Sequence, residues 1–115
     1  MEKQKIKEEY KKIPSRFKVG GQEIEVKRVE RCNNNTIGEC ILDEGVIEIA
    51  DTFNKDKHQA DTCKINTFYH ELTHAILDTM GESELSANEK FVCCFAGFLT
   101  DAMANAYFKE TNGNE

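Results

Sequence analysis

Apolar and polar positions alternate through the first half of the chain and then change period. In Arg16–Val19, Phe17 and Val19 alternate with charged neighbours, and Gly20-Gly21 follows as a two-residue hairpin signal. Ile24, Val26 and Val29 continue the alternation and predict a second strand over residues 22–30. Asn33-Asn34-Asn35 reads as a loop, because asparagine tolerates left-handed backbone. Residues 37–42 predict a third strand, Glu44-Gly45 a tight turn, and Val46, Ile47 and Ile49 a fourth strand. The expected sheet is a small antiparallel meander of three or four strands. Placed at the sheet edge, the strand at 46–49 would pair with an extended peptide by strand addition.

From Asp56 the period becomes helical. Ile65, Phe68, Tyr69, Leu72, Ile76 and Met80 fall on one stripe, and Gly81 is a natural residue to end that helix. Ser86 with Glu89 three residues on predicts a capping box opening a second helix. There Phe91, Phe95, Phe98 and Ala102 form one apolar stripe and Val92, Ala96, Leu99 and Met103 another, which predicts burial on more than one side. The fold class expected is α+β: one domain over residues 1–115, with its sheet packed on a central helix and a second, C-terminal helix. Residues 1–14 are expected to be a fraying lead helix and residues 111–115 a mobile tail.

Composition narrows the setting. The chain has 115 residues, a formal net charge of −6, 39% apolar and 31% charged residues. No apolar run is long enough for a membrane span, and the charged first residues lack the apolar core of a secretory leader. Five cysteines, without a CxxC pair, fit a reducing cytoplasm better than a disulfide framework or a four-cysteine zinc ribbon. Residues 1–31 carry ten Lys/Arg against six Asp/Glu, and the remainder five against fifteen. The basic segment interleaves its charges with glutamates, so it reads as a solvated face rather than a nucleic-acid surface.

The candidate chemistry is His70-Glu71-Leu72-Thr73-His74, an HExxH pattern inside the first helix. Residues four apart share a helix face, so both imidazoles can reach one Zn²⁺. Glu71, about 100° round from His70, can hold a water on the metal and accept its proton without being a ligand. Leu72, Ile76 and Phe68 lie at roughly 160–240°, so the helix turns its apolar side one way and its histidines the other.

A catalytic zinc site takes three protein ligands and leaves a fourth position open. Asp78, Glu82, Glu84 and Glu89 are the candidates for the third. Glu89, heading the second helix, ranks first. Asp78 continues the histidine row, where three ligands in one line strain a tetrahedron, and it can serve instead as an outer partner of a histidine. Glu82 and Glu84 read as solvated, and Cys93 reads as a small buried apolar residue. Tyr69, Tyr107 and His58 are the available donors for stabilising an oxyanion, each with a structural or surface role as the plainer reading.

Residues 67–78 (TFYHELTHAILD) followed by residues 88–96 (NEKFVCCFA) resemble the ImmA/IrrE-like zinc metallopeptidases, and more closely the short stand-alone zincin-like proteins of phages and prophages. The carriers of the resemblance are the HExxH segment and Glu89 followed by Phe95-Ala96. Val92-Cys93 departs from the family's usual Ala-Asn at those positions. The resemblance implies a zincin-like domain with His70, His74 and Glu89 as zinc ligands and Glu71 as general base. The resulting expectation is a cytoplasmic zinc endopeptidase acting on a protein or peptide, with no membrane or nucleic-acid partner. The DNA-binding region of longer members has no counterpart here. A second reading shares the ligands but not the activity: a zinc-stabilised, non-catalytic protein-binding module of phage or prophage origin.

Overall fold

The computed structural model describes residues 12–109. Its alternating half forms β1 (Arg16–Val19), β2 (Gln22–Val29), β3 (Gly38–Ile41) and β4 (Val46–Ala50), followed by a small ribbon of β5 (Thr52–Phe53) and β6 (Lys57–His58). Three helices follow: α1 (Asp61–Met80), the short α2 (Ser83–Ser86) and α3 (Glu89–Ala104). Over the described residues the class is α+β, with a mixed four-stranded sheet, two long helices and no closed barrel. No helix among the described residues is long and apolar enough to cross a membrane.

The sheet order is β1-β2-β4-β3, with β2 and β4 parallel and the other pairs antiparallel. This corrects the expected antiparallel meander. The reason lies in the burial of β4: Val46, Ile47, Ile49 and Ala50 are all buried, leaving only Glu48 half-exposed. A strand apolar on both faces belongs in the middle of a sheet. The 30–37 connection therefore carries the chain past that central place to the far edge, and β3 returns β4 into it. The turn back runs through a 3₁₀ turn at Leu42–Glu44 and Gly45, whose φ is 67°. The strand at 46–49 is thus central rather than an edge, and β3, half-exposed along its length, is one of the two edges, with β1 the other.

The hairpin at Gly20-Gly21 forms as expected, with both glycines left-handed (φ 58° and 85°). Asn34 and Asn35 are also left-handed (φ 60° and 62°). The lead helix expected over residues 1–14 lies mostly outside the described residues, as does the tail at 111–115. Residues 12–14 form a turn and bend, and Ile13 is buried in the core.

α1 packs against the sheet on one side and α3 on the other. Ile24, Ile47 and Ile49 from the sheet meet Ile65, Phe68 and Tyr69 from α1, with Ala75 and Ala96 completing the cluster. Each fully buried Ile or Phe contributes roughly 1.5–3 kcal/mol. Phe68 meets Phe17 and Tyr69 edge-on, at ring separations of 5.7 and 5.0 Å. The helix ends at Gly81 (φ 82°), whose N–H returns to the carbonyls of Leu77 and Asp78. β3 lies so close to α1 that a Cβ on Gly38 would run into Thr67 Cγ2. A glycine there sets how near the sheet edge comes to the HExxH segment.

Two helical expectations are corrected. Ser86 does not cap α3; it ends α2, and Asn88 is the cap, its Oδ1 accepting the Phe91 N–H at 3.1 Å. Asparagine caps as well as serine, and the extra turn of α2 moves the helix start two residues on. Nor is α3 buried on several sides. Val92 and Ala96 are its buried residues, while Phe95 and Phe98 are 45% and 76% exposed. The Val92–Ala96 seam packs closely against α1, with Leu99 and Thr100 continuing the contact, and its small side chains allow the approach that places Glu89 near the histidines.

Candidate metal centre

α1 presents His70 and His74 one turn apart, with side chains 21% and 18% exposed. Their rings lie 5.0 Å apart, edge to face. α3 begins at Glu89, whose carboxylate spans the pair: Oε2 lies 3.4 Å from His70 Nε2, and Oε1 lies 3.4 Å from His74 Nε2. With metal–ligand bonds of ~2.0–2.2 Å, tetrahedral coordination separates neighbouring N and O atoms by roughly 3.3–3.5 Å. Both distances match that spacing.

His70 also suits a metal in its protonation. Burial, helped by His74, lowers the pKa of His70 despite the nearby Glu89. A neutral imidazole has a lone pair to give. His74 Nδ1 lies 2.9 Å from Ser86 Oγ, which leaves Nε2 as the atom turned toward Glu89. Outer hydrogen bonds of this kind fix ring orientation and tautomer at metal sites. Ser86 is buried, and reading it as a cap concealed this role; its place three residues before Glu89 was the available signal.

A second arrangement overlaps the first. His70, Glu89 and Cys93 form a set whose ligand atoms all lie within 4.8 Å of one another. His74 is not in that set and joins it through Glu89. Cys93 Sγ is 3.9 Å from His70 Nδ1 and 4.0 Å from Glu89 Oε2. The expectation that Cys93 is a buried apolar residue is therefore corrected: it is exposed, at the margin of the Val92–Ala96 seam.

Glu71 lines, together with His74, a cleft of about 310 Å³ between α1 and the β3 edge. Asn33, Asn34, Thr36, Gly38, Glu39 and Cys40 form one wall, and Glu71, His74 and Asp78 the other. Glu71 is 9% exposed. Burial, then the Glu89 and Glu39 carboxylates, push it up to about 7, against a backbone hydrogen bond from Cys40. A carboxyl group balanced near neutrality is suited to taking and returning a proton. Glu39 Oε1, also in this wall, is buried and has no hydrogen-bond partner. The same surroundings hold the Cys40 thiol neutral: burial, with Glu71 and Asp78 nearby, pushes it up to about 12.

The remaining candidates separate. Asp78 lines the cleft one turn beyond His74, outside the ligand set. Tyr69 is a core residue, packed on Phe68, and burial raises its pKa. His58 is exposed on β6, before α1 begins, so no continuous helix joins it to His70. Tyr107 is fully exposed beyond α3. None of these last three lines the cleft.

The donor set of two imidazoles, a bridging carboxylate and a nearby thiol could hold a metal ion, and N, O and S ligands are those zinc takes. Compared with known proteins, the chain matches no family model, no curated protein and no solved structure.

Proposed function

We propose that this protein is a zinc-dependent peptidase of the gluzincin kind, a zincin-like domain akin to the ImmA/IrrE-like proteins and of phage or prophage type. His70, His74 and Glu89 hold the metal, and Glu71 is the general base. The observation that carries the reading is the pair of 3.4 Å approaches from one carboxylate to two Nε2 atoms, beside a buried glutamate facing a cleft. A zinc ion held by these three residues would polarise the scissile carbonyl and make a water nucleophilic at neutral pH. Glu71 would accept a proton from the attacking water and return it to the leaving amine. Ser86 holds the His74 ring in place. β3, the sheet edge beside the cleft, offers backbone groups to an extended protein or peptide substrate. The cytoplasm fits five cysteines without disulfides.

The test uses Glu71→Gln, with zinc content and cleavage of a fluorogenic peptide library measured together. Zinc should remain while cleavage falls by ~10²–10⁴-fold, the scale of a lost general base. A variant that cleaves as fast as the parent protein removes Glu71 from the reaction.

The second reading, a zinc-stabilised binding module, is favoured by Cys93, which offers a further ligand where a hydrolase keeps water. Under it the Glu71→Gln protein keeps both its zinc and its biological activity.

A further inference from the structure

Each of the two long helices contributes a pair of donors one turn apart. α1 carries His70 and His74, and α3 carries Glu89 and Cys93, both pairs at the four-residue spacing that stacks side chains on one face. The pairs face each other across the α1–α3 seam. Sulfur lies 4.0 Å from Glu89 Oε2 and 3.9 Å from His70 Nδ1, while Nε2 of the same ring faces Glu89. With a Zn–S bond of ~2.3 Å, a tetrahedral centre places sulfur roughly 3.5–3.7 Å from its N and O neighbours. The distance to Glu89 Oε2 is a few tenths of an ångström beyond that range, and one nitrogen of His70 lies within 4.8 Å of the sulfur. The Cys93 side chain has solvent on one side, so rotation about χ1 can carry the sulfur toward the metal shared by the Nε2 atoms and Glu89.

We propose that Cys93 is the fourth ligand of the metal, giving a closed His70–His74–Glu89–Cys93 centre in the resting protein. The inference rests on the metal-centre reading above and adds to it. Four protein ligands are the pattern of a closed site, and a catalytic site has three and a water. With sulfur in place Glu71 has no water to work on, and hydrolysis requires Cys93 to swing away. Metal binding converts the thiol to a thiolate and releases its proton to solvent. Cys63 and Cys94 are also exposed but stand outside the ligand set, so they serve as internal controls.

The experiment titrates the metal-free protein with Co²⁺ and records absorption for the parent chain, Cys93→Ser and Cys94→Ser. In parallel, iodoacetamide labelling with and without Zn²⁺ is read by mass spectrometry. The expected result is a sulfur-to-cobalt charge-transfer band in the parent and Cys94→Ser proteins, absent from Cys93→Ser. Cys93→Ser should bind Co²⁺ at least about tenfold more weakly, the lower end of what loss of even an outer partner causes. Zn²⁺ should shield Cys93 while Cys63 and Cys94 stay reactive. Cobalt bound with ligand-field bands but no sulfur band, unchanged in Cys93→Ser, overturns the assignment and leaves the metal centre standing. Absence of cobalt uptake in every variant overturns both.

Discussion

Two polar clusters lie along α1, one buried and one open to solvent at Glu89, and they are built on opposite principles. Near its start, Gln59 donates from Nε2 to the carbonyls of Ala50 (2.7 Å) and Ile37 (3.2 Å), and its Oε1 accepts from Thr67 Oγ1. The amide and the hydroxyl are both buried and both satisfied, so they tie the ends of the sheet to the helix without net charge. One turn further on, Glu71, Glu89 and Glu39 bring carboxylates together beside two histidines. There the pKa of Glu71 is pushed up, that of His70 is pushed down, and a Glu39 oxygen lacks a partner. The first cluster is complete as the chain folds. The second assembles metal-ligating donors and negative charge with no Lys or Arg paired to them among the described residues, a grouping that could hold a cation.

The comparison breaks most visibly if a metal leaves the molecule unchanged. Zn²⁺ at a hundred times its dissociation constant adds about 2.7 kcal/mol to stability. At 4–8 °C per kcal/mol for a domain near this size, the melting temperature should rise by roughly 10–20 °C in calorimetry, and a chelator should reverse it. His74→Ala should lose most of that rise, and Thr67→Val none of it.

Next in size is the metal-free protein's dependence on pH. Glu71 has a folded-state pKa near 7 against its usual 4.5, so the folded protein holds the proton longer than the unfolded chain does. Its stabilising effect is full below pH ~4.5 and is lost as pH rises through about 7, a change of at most ~3 kcal/mol before solvent screening reduces it. Urea titrations of metal-free protein at pH 5 and pH 8 should show the parent weaker at the higher pH. Glu71→Gln should flatten the difference. A parent protein equally stable at both values would show that the carboxylates are not in conflict.

The smallest effect concerns the satisfied cluster. Thr67→Val leaves Gln59 Oε1 without its donor and should cost about 1–3 kcal/mol by chemical denaturation, with zinc affinity unaltered. Gln59→Leu combined with Thr67→Val should cost less than the two singles summed, because the two residues serve one network.

Much of the scaffold was legible in local pattern. The Gly20-Gly21 hairpin, the left-handed asparagines and the Gly81 helix end depend on backbone preferences of single residues, and they form where the sequence predicts them. Strand order was not legible, since it depends on comparing the burial of β3 and β4 as whole strands. The exposure of Phe95 and Phe98 was hidden for a related reason: periodicity shows how many apolar faces a helix has, but not how many neighbours it meets. Gln59 gave no signal, because a lone glutamine before a helix looks like any solvated polar residue.

The site divides along the same line. Spacing alone put His70 and His74 on one face of one helix, because 3.6 residues per turn is a property of the backbone. The approach of Glu89 to both rings, the contact of Ser86 with His74, the nearness of Cys93 to His70 and Glu89, and the closing of β3 over Glu71 all join residues from different elements. Those distances are set by side-chain packing at the α1–α3 seam and at Gly38, which local periodicity does not encode.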